Sequence, residues 1–209
     1  MPNNEVNNQI IDAWAEVLNF EEKYRSTGSP HRLFCGTNAI PGWVLNQEGV
    51  NHQERFDKFS TNMDDLIKGD LKLSDLKLFD MVFFPVLEFN HYYLIVFELR
   101  NSAISVIDNF HESIPLVGLR DNKDYYFKDS PYKVKDVFVQ YLKQIQHQKT
   151  DKIHASPVQK LHILWATKTN AVDCAIFVMR HMEKFMGMRE QFNCGFLTND
   201  KRKKANLTC

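Results

Sequence analysis

The sequence predicts an α+β fold, with helices at both ends and a central, largely antiparallel sheet. Two observations carry that prediction. The apolar residues repeat at helical spacing near both termini, whereas the middle of the chain holds short runs of β-formers. Those central runs are also nearly continuous in apolar residues, which implies a sheet covered on both faces. The length of 209 residues and the 44% hydrophobic content fit one domain with a sizeable core.

From Gln9 to about Tyr24, Ile10, Ile11, Trp14, Val17, Leu18 and Phe20 mark an amphipathic helix. Ser26-Thr27-Gly28-Ser29-Pro30 stops it. Residues 31–50, with Gly36, Pro41, Gly42 and Gly49, read as an irregular segment. Phe56, Phe59, Met63, Leu66 and Ile67 mark a second helix, ended by Gly69-Asp70. Met81–Val86, Tyr92–Phe97 and Ala103–Ile107 are three strands, and Arg100-Asn101-Ser102 turns the last two into a hairpin. Val134, Val137, Phe138, Tyr141, Leu142 and Ile145 give a third helix, starting near Pro131. Leu161–Trp165 reads as a further strand, and Asp173–Met186 as the last strong helix. Residues 1–8 are expected to be disordered, 9–195 to form one domain, and 196–209 to be a basic tail containing Lys201-Arg202-Lys203-Lys204.

Composition excludes several classes. Lys plus Arg and Asp plus Glu both total 26, so whole-surface binding to nucleic acid or an anionic membrane is not expected. No long apolar run indicates a membrane span, and the Asn-rich, acidic N-terminus is not a signal peptide. Cys35, Cys174, Cys194 and Cys209 are widely spaced, which indicates neither a disulfide scaffold nor a zinc site and fits a reducing compartment. Phosphate-loop, dinucleotide, zinc-protease and calcium-loop motifs are absent, so no cofactor and no metal is expected.

Three residues stand out as a set. His91 opens the central strand, and Asp108 closes the next strand of the hairpin, so both fall on one edge of the sheet. Cys174 lies where the turn Thr169–Asp173 enters a helix, with Asp173 placed to be its N-cap. A thiol there feels the positive end of the helix dipole, which favours thiolate. An imidazole beside it would favour thiolate further, and a carboxylate behind the imidazole would orient the ring. Taken singly, each residue has an ordinary reading: a buried structural cysteine, a satisfied histidine, a turn aspartate.

Together, Phe83-Phe84-Pro85-Val86, Asn90-His91-Tyr92-Tyr93-Leu94-Ile95-Val96, Val106-Ile107-Asp108-Asn109 and Asn170-Ala171-Val172-Asp173-Cys174-Ala175-Ile176-Phe177-Val178 resemble the ubiquitin-like-protein-specific cysteine proteases. These are the SUMO- and Nedd8-deconjugating enzymes, related to adenain. The resemblance covers about residues 5–190 and is nearest to the divergent plant-type, transposon-associated branch, whose members share a helix like Ile11-Asp12-Ala13-Trp14. The order His, Asp, Cys separates this clan from papain, which places its cysteine first.

The resemblance implies a cysteine-protease fold with a mixed sheet flanked by helices and the nucleophile at a helix N-terminus. It implies Cys174 as nucleophile, His91 as general base and Asp108 as orienting carboxylate. The implied reaction is cleavage after the C-terminal Gly-Gly of a SUMO-like modifier through a thioester, with SUMO or another ubiquitin-like protein and its conjugates as partners. A monomer in the nucleus or cytoplasm is expected. Tyr92 stands where the family commonly has a Trp that covers the Gly-Gly tunnel. Lys168 replaces the family's oxyanion-hole Gln, and Ala175 replaces the Gly after the nucleophile. Those two departures define the alternative: a weakened or inactive relative that binds a ubiquitin-like protein. A third reading is an interaction domain with Cys174 buried in its core.

Overall fold

The computed structural model describes residues 7–42, 45, 49–69, 75–88, 91–109, 129–166, 173–188, 190 and 192–196. A five-stranded sheet runs in chain order: β1 (Arg32–Phe34), β2 (Met81–Glu88), β3 (His91–Glu98), β4 (Ala103–Ile107) and β5 (Val158–Lys160). The central pairs β2–β3 and β3–β4 are antiparallel, and the outer pairs β1–β2 and β4–β5 are parallel. The sheet is therefore mixed, with its antiparallel core where the β-former runs predicted it. Ser102 takes up a left-handed conformation, φ 56°, in the β3–β4 turn.

Among the described residues, five α-helices cover the sheet: α1 (Asn8–Glu21), α2 (His52–Gly69), α3 (Ser130–Gln144), α4 (Thr150–Ala155) and α5 (Cys174–Lys184). Three of these starts follow ordinary helix-start chemistry. Asn7 accepts from the backbone of Gln9 at the head of α1. Asn51 and Glu54 satisfy each other's backbone N–H groups ahead of α2, a reciprocal capping box. Pro131 sits in the first turn of α3, where no N–H is needed.

Alternation along the strands splits the core in two. Phe84, Val86, Tyr93, Ile95 and Phe97 face α2, α3 and α4. There Phe138 packs its ring 4.4 Å from Phe97 and 5.3 Å from Phe84. Phe83, Leu94 and Val96 face α1 and α5 on the other side, with Ile11, Leu18, Phe177, Met182 and Phe185. The result is three layers with apolar side chains on both sheet faces, as the near-continuous strands required.

Three elements differ from the sequence expectation. Residues 31–50 contain β1, too short for a periodic signal, which adds parallel to β2. The helix α4 was not expected; it carries Thr150, Asp151, Lys152 and His154 around a single buried apolar residue, Ile153. The fifth strand ends at Lys160 rather than spanning Leu161–Trp165. Leu161 extends its ladder by one bond, from its N–H to the Val106 carbonyl at 2.8 Å. Ile163 and Trp165 are buried and alternate with exposed His162 and Leu164, so they mimic a strand without being one.

Candidate active site

The β3–β4 hairpin and the head of α5 bring three side chains together. His91 is the first residue of β3, and Asp108 directly follows β4. Leu94 pairs with Ile107, so both residues lie past the same end of the ladder. His91 Nε2 is 2.8 Å from Asp108 Oδ1, and both side chains are buried. With Nε2 turned to Asp108, the other ring nitrogen is left for Cys174, whose sulfur hydrogen-bonds the imidazole.

Cys174 is the first residue of α5. Its sulfur also receives the backbone N–H groups of Tyr92 and Ala175. The first-turn N–H groups of a helix are unused by the helix itself, so they are available to a sulfur anion. Asp173 holds the N-cap position, but its side chain makes no capping hydrogen bond. Ala175 is buried within the first turn of the helix, where alanine fits without strain.

The electrostatics follow from these contacts. Burial opposes a charged imidazole at His91, but the hydrogen bonds to Asp108 and Cys174 outweigh it and raise His91 from 6.5 to about 9. Burial likewise opposes a thiolate at Cys174, yet the His91 hydrogen bond and the two N–H groups bring its pKa below the ordinary value. The two shifts agree: the site favours thiolate with imidazolium. The other described cysteines behave oppositely. Cys35 is sealed in the core, and burial pushes its thiol far up; burial pushes Cys194 up to about 12.

Helix α1 borders the site. Tyr92, beside His91, donates its hydroxyl to Asn8 Oδ1. Trp14 Nε1 donates to the Met179 carbonyl at 3.2 Å, which ties α1 to α5. Lys168 lies outside the described residues, as do Asn90 and the basic run 201–204. Lys160 contacts Asp108 from β5, its Nζ 3.3 Å from Oδ2. Sequence reasoning missed this lysine, because a single charge at a strand end ordinarily reads as solvated. Cavities of about 650 Å³ beside α3 and α4 and about 600 Å³ near Pro30 and Gly187 are lined by none of His91, Asp108 and Cys174. Among the described residues, no group of three or more His, Cys, Asp or Glu converges as a metal site.

A hairpin-borne His–Asp pair facing a cysteine at a helix start is the layout of a thiol hydrolase. Known structures place the fold more closely. This chain is similar to the C-terminal protease domain of Ulp1 in complex with Smt3, the yeast ortholog of SUMO, at 13% identity and TM-score 0.56, over 87% of this chain and 66% of that one. It is equally similar to the SUMO protease Ulp1 with its catalytic cysteine oxidized to a sulfenic acid, at 14% identity and TM-score 0.57, over the same shares. A further de-sumoylating protease matches at 13% identity and TM-score 0.56, over 89% of this chain and 64% of that one. The chain thus has the Ulp1 protease fold and spans about two thirds of the length of those proteins. No protein-family model and no curated protein sequence matches it.

Proposed function

We propose that this protein is a thiol peptidase that cleaves after the C-terminal Gly-Gly of a SUMO-like modifier. One observation carries the reading: a single buried imidazole, His91, joins the Asp108 carboxylate to the sulfur of Cys174 at the head of α5. In this reading the Cys174 thiolate attacks the scissile carbonyl carbon. A carbon–sulfur bond forms, and the carbonyl π electrons move onto oxygen. As the tetrahedral anion collapses, the carbon–nitrogen bond breaks, and the His91 imidazolium gives its proton to the leaving amine. Water then attacks the thioester, His91 takes one of its protons, and Cys174 leaves as thiolate. Asp108 holds the ring through Nε2 and stabilises the cation without being protonated. The Ala175 N–H donates to the sulfur of the resting thiolate; once that sulfur is bonded to carbon its negative charge has passed to the oxyanion, to which the N–H can turn.

The choice of modifier rests on fold similarity to a protease bound to Smt3. The test is labelling with a SUMO bearing a C-terminal electrophile, with Cys174→Ser as control. Covalent labelling of the parent alone supports the peptidase. A folded chain whose Cys174 reacts with iodoacetamide, yet with no ubiquitin-like probe, would favour the weakened relative. Lys168→Gln then discriminates further: restoring a neutral donor raises turnover if position 168 serves the oxyanion, and unchanged or lower turnover removes that role.

A further inference from the structure

One charged side chain at the site is not accounted for by a three-residue triad. Lys160, the last residue of β5, reaches Asp108 Oδ2 at 3.3 Å with its side chain only 12% exposed. The opposite oxygen, Oδ1, is 2.8 Å from His91 Nε2. The carboxylate is thus gripped at both oxygens, from β5 and from β3. A lysine stem ordinarily carries its ammonium out to water, and burying the charge is costly unless it is paired. Here the ammonium is turned inward onto a carboxylate that is itself almost fully buried.

We propose that Lys160 is a positioning residue of the peptidase site: it fixes the Asp108 carboxylate so that Oδ1 faces His91, and it balances the buried negative charge. The proposal rests on the reading of Cys174 as nucleophile. Charge counting shows what the lysine does. With Lys160 and His91 positive and Asp108 and Cys174 negative, these four groups sum to zero. Without Lys160 the remaining three carry one net negative charge in a buried setting. The thiolate then forms at higher pH, and the imidazolium also persists to higher pH.

Among the described residues, titratable groups approach this carboxylate from several elements. His91 lies on β3, Lys160 on β5, and Cys174 and His181 on α5. Glu88, at the end of β2, is paired in register with His91. His181 is kept neutral by burial. Glu88 accepts hydrogen bonds from the Tyr93 and Ser130 hydroxyls, both at 3.0 Å. Lys160 is the cation among them whose removal changes the charge balance directly.

The test is the pH dependence of Cys174 alkylation by iodoacetamide. The Cys174 peptide is followed by mass spectrometry, so that Cys35, Cys194 and Cys209 do not contribute. Parent, Lys160→Met, Lys160→Gln and Lys160→Arg are compared after thermal unfolding has shown which are folded. Both neutral variants should move the acid limb up by about one pH unit, roughly a tenfold loss of rate on that limb. Lys160→Arg should keep the limb near that of the parent. Neutral variants that titrate like the parent, or an arginine variant shifted like the neutral ones, would overturn the role of Lys160 and leave Cys174 as nucleophile. A parent Cys174 that titrates as an ordinary thiol near 9 would remove the nucleophile reading and this one with it.

Discussion

Replacing Cys174 with alanine should change how stability depends on pH, in a way that reports the ion pair directly. His91 is raised from 6.5 to about 9, and Cys174 is lowered from 9.0. A base raised on folding adds stability that is fully present below its unfolded pKa and is lost as pH rises through its folded pKa. An acid lowered on folding does the reverse: its stability is present above its unfolded pKa and is lost as pH falls through its folded one. Between pH 6.5 and 9, once the pH exceeds the lowered Cys174 pKa, the folded pair holds one proton, on His91. The unfolded pair also holds one, on the thiol. The proton counts match, so the pair gives the parent no slope in that window. In Cys174→Ala only His91 remains, and Asp108 still holds its pKa up. The folded variant then binds a proton that the unfolded chain does not, and stability falls as pH rises.

A full shift of 2.5 units would be worth about 3 kcal/mol. Losing the sulfur removes part of that shift, which leaves a decline of roughly 1–2 kcal/mol between pH 6.5 and 9. Urea unfolding of both proteins at half-unit pH intervals measures it, and the difference between the two curves cancels the exposed histidines. Parallel curves for parent and variant would show that Cys174 enters that window as an ordinary thiol, and the ion pair would have to be abandoned.

Three further outcomes follow from named contacts. Arg32 donates to the Met182, Glu183 and Phe185 carbonyls at the C-terminal end of α5 and pairs with Glu22. Arg32→Met should cost about 3 kcal/mol in chemical unfolding, the low end for a broken buried pair because Glu22 keeps Arg25; a loss below 1 kcal/mol would contradict this. A Cβ on Gly42 would sit 2.2 Å from the Leu87 carbonyl oxygen, so Gly42→Ala should cost about 1–3 kcal/mol, and a parent-like melting temperature would refute the close approach. His181 is pushed down to about 3 by burial, so stability is lost as pH falls below 6.5. His181→Gln still offers Trp165 an acceptor and should weaken that acid loss by about 2 kcal/mol between pH 6.5 and 5; an unchanged acid limb would place the loss elsewhere.

The sheet centre was legible because β2, β3 and β4 carry dense runs of β-formers, and a three-layer core needs them apolar on both faces. The edges were not. The three residues of β1 are too few for any period, and β5 has a polar middle residue because it ends the sheet. The spacing of Leu161–Trp165 imitated a strand because its burial alternates, yet Leu164 and Trp165 lie in a turn in which the Ala166 N–H bonds the Ile163 carbonyl at 3.4 Å. The meeting of His91 with Asp108 was legible from hairpin logic alone. The approach of Cys174 was not, because it depends on how α5 lies across the sheet, and only the likeness to a protease family suggested it. Lys160 escaped because its role appears only in the distance to a carboxylate brought near by a parallel strand pairing.

The order of the elements has a consequence for biosynthesis. His91 and Asp108 belong to one local hairpin, whereas Cys174 arrives on a helix encoded much later. While the ribosome is still making that stretch, the imidazole and carboxylate can already pair, but the cysteine has no partner to lower its pKa. The lowering of the Cys174 pKa therefore depends on the docking of α5, and a chain in which α5 has not docked holds an ordinary thiol.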